Sequence, residues 1–457
     1  MEPDRPILLW LRRDLRLQDN PALAAAVATG RSVIPVFIRP GKHEIGGAST
    51  WWRDQSLAAL ARDLKAKGSR LILRTGPAEK VLPALAAETA ATALAFNQTL
   101  EPGQIATDQA VMRVLGAHRV EIIERRGNRL HDPWLVKTKA GGPFKVFTPF
   151  WRTLSADYRP PARHNAPKAI HVPKRWPKSE YLADWQVTAK WASGFGEEWT
   201  PGEAGAAARL NRLLRTAKDY PAERNRPDHE GTSRLSPHLA WGEISVHEIW
   251  RRLDKKLGKD ALPFLRQLGW RDFNSHLLYH FPKLPTEPWS AKFARFPFQR
   301  DAKGLRAWQR GLTGYPIVDA GMRQLWTTGW MHNRVRMIVA SFLVKDQLID
   351  WRKGEAWFRD TLVDADLAQN AANWQWVAGS GADAAPYFRV FNPIGQSRRF
   401  DPDGAYIRRW VPELATLDGR AIHAPWEADV TVKGYPAPIL DHAEARERAL
   451  AAYEKIK

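Results

Sequence analysis

At 457 residues the chain exceeds what one hydrophobic core usually holds, so two domains are expected. A hydrophobic content of 44% argues against wholesale disorder, and a formal net charge of +20 points to a polyanionic partner more than to a solubility device. The absence of cysteine excludes disulfides, thiolate nucleophiles, zinc ribbons and cysteine-ligated iron–sulfur clusters together.

Short apolar runs at 6–11, 33–38, 71–73, 93–96 and 120–123 read as buried strands, and helical patterns fall between them at 21–28, 51–67, 78–89 and 105–115. This alternation predicts an α/β domain over 1–130, a five-stranded parallel sheet doubly wound with helices on both faces. No G-x-G-x-x-G follows the first strand, so a dinucleotide fingerprint is missing. From 131 to 195 proline, lysine and tryptophan scatter without a period, which reads as a linker. Residues 196–457 carry helical periodicity throughout and predict a larger all-α domain. The first twelve residues lack a signal-peptide h-region, and no apolar run reaches about 18 residues, so a cytoplasmic protein without a transmembrane helix is expected.

Chemistry-bearing residues concentrate in the second domain, where many of the 22 tryptophans are threaded among polar side chains. Gly231–Thr232–Ser233–Arg234–Leu235–Ser236 opens a helix; it reads either as a plain N-terminal cap or as an anion site built from hydroxyls and free N–H groups. Asn333, Arg336 and Met337 share one helical face. Asp364–Ala365–Asp366 precedes a helix bearing Asn370, Trp374 and Trp376. The two carboxylates read as a cap, a cofactor contact or partners for Arg271 or Arg336, whereas a metal site lacks supporting ligands. G-x-S-x-G, Walker A and H-E-x-x-H motifs are all missing.

Taken in order, LWLRRDLRLQDNPAL, EGTSRLSPHLAWGEIS, GWRDF, TGYPIVDAGMRQL, TGWMHNR, DWRKGE, DADLAQN and the run from NWQW to FNP resemble the photolyase/cryptochrome family over essentially the whole chain. They are most similar to its bacterial members that split cyclobutane pyrimidine dimers. The resemblance implies an N-terminal antenna domain and a helical domain holding a U-shaped FAD. It places flavin contacts at Tyr220, Thr232, Ser233, Arg234, Leu235, Ser236, Arg271, Asn333, Asp364, Ala365, Asp366 and Asn370. Asn370 is expected near flavin N5, and Asp364 is expected to pair with Arg336. Gln267, Asn333, Met337 and Asn370 are the implied catalytic set. Trp270 and Trp376 match aromatics that cradle a flipped-out dimer, and Arg224, Gln267, Arg334, Arg389 and Gln396 match positions near the lesion or its phosphates. The implied activity is a light-driven carbon–carbon lyase acting on ultraviolet-damaged DNA as a monomer, by electron transfer from reduced FAD with no net redox change.

Two positions depart from that pattern. Gln267 stands where enzymes of the cyclobutane type carry Glu, and it is usual in those acting on (6-4) photoproducts; Asn333 and Met337, where the latter carry histidines, favour the cyclobutane substrate. Of the electron relay, Trp374 and Trp351 match the proximal and middle members, but Phe298 occupies the distal position where Trp is expected; Trp308, Trp326 and Trp357 read as packing. The stretch 97–104 has Thr99, Gly103 and Gln104 at antenna positions, favouring a deazaflavin over methenyltetrahydrofolate, or no antenna. The alternatives are repair of (6-4) photoproducts and a cryptochrome-like blue-light photoreceptor, the latter set against the short run of chain beyond the last motif.

Overall fold

The computed structural model describes residues 5–39, 41, 45–186, 189–383 and 388–457. Five strands, β1 (Ile7–Leu11), β2 (Val33–Arg39), β3 (Ile72–Thr75), β4 (Ala93–Asn97) and β5 (Glu121–Arg125), form one parallel sheet in the order β3-β2-β1-β4-β5. The register sets Leu8 of β1 beside Ile34 and Leu94. Successive side chains point to opposite faces, so β1 feeds two cores. Ile7, Leu9 and Leu11 pack with helices α1 (Pro21–Ala28) and α2 (Gly47–Ala66); Leu8 and Trp10 pack with α3 (Ala78–Thr89) and α4 (Pro102–Ala117). Both faces are covered, as the near-continuous apolar strands require. Helix α3 spans the expected 78–89, and α4 starts three residues earlier than expected because Pro102 occupies its first turn, where the missing N–H costs nothing.

The stretch 131–195 is not bare connector. It holds α5 (Phe147–Ala156), whose Phe147, Phe150 and Leu154 are buried at helical spacing in the core of the second domain. The signal spans only ten residues, with prolines at 143, 149 and 160, so the scatter of breakers hides it.

The helical part continues with α6 (Phe195–Glu198), α7 (Glu203–Thr216), α8 (Tyr220–Glu223), α9 (Ser236–Ala240), α10 (Val246–Leu257) and α11 (Leu262–His280). It then runs through α12 (Ala302–Arg310), α13 (Pro316–Thr328), α14 (Asn333–Ser341), α15 (Trp351–Thr361), α16 (Leu367–Ala378), α17 (Pro393–Phe400), α18 (Ala405–Trp410) and α19 (His442–Glu454). Two cores result. One gathers α5, α7, α10 and α11; the other gathers α13 to α15. Helix α16 serves both, giving Ala368, Ala371 and Ala372 to the first and Trp374 and Val377 to the second. The seam between the cores is where the functional residues collect.

The α/β unit docks on this seam through polar contacts from the end of β1. Arg13 donates to the carbonyls of Ala240 at 3.3 Å and Ala365 at 3.2 Å, and Arg16 donates to Gly242 at 2.8 Å. Gly242 has φ +64°, and a Cβ there would fall 2.1 Å from the Arg13 carbonyl oxygen, so both conformation and space call for glycine. Among the described residues, no helix is long and apolar enough to cross a membrane.

Candidate active site

A cavity of about 580 Å³ opens on the seam, within the range of about 300–1,000 Å³ usual for small-molecule sites. Tyr220, Ser233, Leu235, Ser236, Arg271, Asn333, Asp364, Ala365, Asp366 and Asn370 all line it. Two of the expected flavin contacts, Thr232 and Arg234, are not among its walls. Arg234 has φ +52°, and its largely buried side chain pairs with Glu198 and lies 4.9 Å from the centre of the Trp330 ring. The side-chain cap expected at the start of α9 does not form: Leu235 holds the N-cap position, so the hydroxyls before the helix are not spent on its first N–H groups. Ser233 Oγ accepts from the N–H of Leu235 at 3.2 Å, which leaves its own O–H to donate.

The two aspartates divide the roles left open by the sequence. Asp364 takes a bidentate pair from Arg336, at 3.1 and 2.8 Å, and Arg336 Nε donates to the carbonyl of Met331 at 2.8 Å. Asp366 caps α16, its Oδ1 accepting from Gln369 N–H at 3.0 Å. Arg271 pairs with neither; its Nη1 donates to the Asn128 carbonyl at 2.8 Å. Among the described residues, no group of three or more His, Asp or Glu side chains could hold a metal ion.

Asn370 uses its amide N–H groups on Glu355, at 2.9 Å to the carbonyl and 2.8 Å to Oε1. That consumes the donors and leaves the Asn370 carbonyl oxygen as the acceptor available to the cavity. Burial raises the Glu355 carboxyl above its usual range, against Arg359 and the Asn370 hydrogen bond. Sequence reasoning missed Glu355, although it lies in the DWRKGE motif. Gln369 was missed too; it bridges Arg271 O at 3.0 Å and Asn274 Nδ2 at 2.8 Å.

On the opposite wall, α14 begins on His332, whose Nδ1 accepts from Arg334 N–H at 3.2 Å. That start brings Asn333 Nδ2 and Met337 Sδ, one turn apart, to 3.9 Å. Burial, with Arg334 and Arg336 alongside, holds His332 down to about 3, so it stays neutral and keeps its acceptor.

Gln267 lines the cavity from α11. Its Oε1 accepts from Arg224 at 3.0 Å and its Nε2 donates to the Pro263 carbonyl at 3.2 Å. Trp270, one turn further, lies flat on Phe147 with ring centres 3.6 Å apart and planes 9° from parallel. Trp376 faces the same space from α16, its Nε1 donating to Asp383 O at 3.1 Å. Arg334 sits at the rim, donating to Asn225 Oδ1 at 2.8 Å. Burial, then Arg224 and Arg399, depress its guanidinium pKa. Asn225 and Arg334 also line a second, adjoining groove of about 510 Å³ that contains Arg389, Gln396 and Arg399. The expected DNA contacts thus fall on one continuous surface, from the cavity floor to a basic groove.

The relay positions follow the same seam. Trp374 lines the cavity and presses on Gly354, where a Cβ would lie 2.1 Å from its ring; Gly354 is one turn from buried Trp351 on α15. Phe298 is only half-buried, 4.8 Å from Phe296 between ring centres.

The fold and the cavity together define a two-domain protein built to hold a large cofactor between helical walls. Residues 7–169 match the family model for DNA photolyase, and residues 264–455 match that for the FAD binding domain of DNA photolyase. The chain is 50% identical over 470 residues to the deoxyribodipyrimidine photo-lyase of Agrobacterium fabrum, covering 99% of this chain and 98% of that one. It is 36% identical over 490 residues to cryptochrome-2 of Arabidopsis thaliana, covering 100% of this chain and 80% of that one. The crystal structure of a class III photolyase from Agrobacterium tumefaciens superposes with a TM-score of 0.96 at 49% identity, covering 100% of this chain and 98% of that one. The chain belongs to the DNA photolyase family.

Proposed function

We propose that this protein repairs cyclobutane pyrimidine dimers in DNA under light, with FAD in the seam cavity. The observation that carries the reading is the continuity of that cavity, paired indoles and all, with a groove lined by three arginines. The donor set fits the cofactor. Ser233 and Ser236 at the start of α9 suit its pyrophosphate, Arg336 held by Asp364 sets a fixed positive group on the wall, and the free carbonyl of Asn370 suits an N–H donor on a reduced ring. Bound flavin supplies light-driven one-electron donation to the dimer, with the electron recovered after ring opening. The chain's part is to hold and exclude. Trp270 and Trp376 stack the flipped bases, Gln267 is oriented by Arg224 to face them with an amide N–H, and Arg334 and Arg389 bind flanking phosphates. Anaerobic illumination of the holoprotein with oligonucleotides carrying one defined lesion tests this. Loss of cyclobutane dimers is expected; repair of (6-4) photoproducts alone would overturn it, and flavin photochemistry without repair of either would favour the photoreceptor reading.

Position 267 gives a sharper test. In Gln267→Glu the protonated carboxyl would keep its carbonyl oxygen on Arg224 and turn toward the opening ring an O–H whose proton, unlike an amide's, can be given up. Repair per absorbed photon is expected to rise, with the flavin spectrum unchanged. An unaltered yield would remove position 267 from the lesion contacts.

Phe298 is expected to slow reduction of the resting flavin without affecting repair, since phenylalanine is far harder to oxidise than indole. It is half-buried, so the larger ring of Phe298→Trp can extend toward solvent without overpacking. Photoreduction of oxidised flavin with an external thiol should speed up, while repair by chemically pre-reduced protein stays constant. Equal photoreduction rates would mean that another route already carries the electron.

The cleft at the carboxyl ends of the strands, about 1190 Å³ and lined by Trp10, Trp185 and Trp241 with Arg12, Arg39 and Arg53, is the proposed antenna site, for a planar chromophore of deazaflavin type.

A further inference from the structure

Helix α14 runs into a π-helical turn, Phe342–Asp346, and that turn carries two charged residues into the interior. Lys345 is 3% exposed. Its Nζ donates to the backbone carbonyl of Arg389 and lies 4.4 Å from the centre of the Phe388 ring. Asp346 faces the other way, its Oδ1 pairing with His442 of α19 at 2.5 Å while its carbonyl accepts from Arg448 at 3.3 Å. Phe388 is in turn stacked on Tyr453 of α19, with ring centres 4.7 Å apart and planes 7° from parallel.

Burying an ammonium is costly even after relaxation, and an apolar side chain of similar length would fill the same space at lower cost. Burial pulls the Lys345 pKa down to about 7 against the attraction of Asp346. What the charge gains is hold on a segment of irregular backbone. Phe388–Phe391 belongs to no helix or strand. Besides the Lys345 bond, its backbone is tied by Phe391 N–H donating to Ser341 Oγ at 3.3 Å, again from the end of α14. Within this segment Phe388 is buried, whereas the next residue, Arg389, is exposed and lines the basic groove with Arg334 and Arg399.

We propose that Lys345 is a positioning residue for nucleic acid: by fixing the Arg389 carbonyl it aims the Arg389 side chain at a phosphate of bound DNA. This rests on the reading of the groove as the DNA path. Each phosphate neutralised by a cationic side chain contributes about 0.7–0.9 to the slope of log K against log salt. A side chain that only stabilises the fold leaves that slope alone.

The test is a salt titration of the FAD-loaded protein binding an oligonucleotide with one cyclobutane dimer, for Arg389→Ala, Lys345→Met and the double variant. Melting temperature and flavin absorbance are read alongside. Each single variant is expected to flatten the slope by about one phosphate, and the double variant no further, because both remove the same contact. Lys345→Gln keeps an N–H donor, should retain part of the slope, and stands in if Lys345→Met does not fold. A wild-type slope in the Lys345 variants, with a flattened one in Arg389→Ala, overturns the proposal, as do additive losses in the double variant. A wild-type slope in Arg389→Ala overturns instead the reading of the groove on which it rests.

Discussion

Arg336→Met is expected to empty the cavity of flavin and to destabilise the protein by about 3–5 kcal/mol. Asp364 keeps only 3% of its side chain exposed, and Arg336 satisfies both of its oxygens. Methionine fills the stem's space but leaves a carboxylate buried without its cation, which is the costly half of breaking such a pair. The same substitution removes a fixed positive group from the wall. The two losses separate in the double variant Arg336→Met/Asp364→Leu. Replacing both partners by apolar groups relieves the buried charge, so melting temperature should recover largely, whereas flavin occupancy should not. Occupancy is read from the ratio of flavin to protein absorbance after purification, and stability from thermal unfolding. Full occupancy and a wild-type melting temperature in Arg336→Met would show that the pair is dispensable, and recovery of flavin in the double variant would reduce its role to folding.

That pair illustrates how far the residues alone carried the reading. The spacing put Asn333, Arg336 and Met337 on one face and two carboxylates before a helix, but it left Asp364 with two candidate arginines. The family resemblance names Arg336, and in the structure Asp364 pairs with it while Arg271 is drawn to the Asn128 carbonyl, whose place depends on the other domain. The sheet was legible for the opposite reason: strands buried on both faces are continuous apolar runs, and their helices begin and end on local signals such as Pro102. Helix α5 was not legible, since ten residues set among prolines carry too little periodic signal to outweigh the breakers around them. Arg234 shows a different limit. It lies inside a matching motif, yet its side chain is taken by Glu198 and the Trp330 ring, partners that sequence spacing does not display. Glu355 shows the converse. It hydrogen-bonds Asn370, fifteen residues on, a contact that appears only when two helices are placed side by side.

Trp270→Ala is expected to weaken binding of dimer-containing DNA by about 5- to 150-fold, the equivalent of about 1–3 kcal/mol for one stacked base. The indole is a firm platform. Phe147 covers one of its faces at 3.6 Å, and Phe147 is backed in turn by Trp151, with planes 16° from parallel. A base stacking on a surface already held in place loses little entropy to ordering the protein. Across the cavity Trp376 is tied at its Nε1 to Asp383 O, so the two indoles form fixed walls, each donated by a different helix. Because the lost interaction is made with bases and not with phosphates, two further results are expected. Affinity for undamaged DNA should change little, and the slope of log K against log salt should stay at its wild-type value. Trp270→Phe preserves a ring against Phe147 and should restore most of the preference for damaged DNA. An equal loss on damaged and undamaged DNA would place Trp270 in the packing of α5 on α11 and remove it from lesion recognition. A flattened salt slope would mean instead that the variant had displaced the rim arginines.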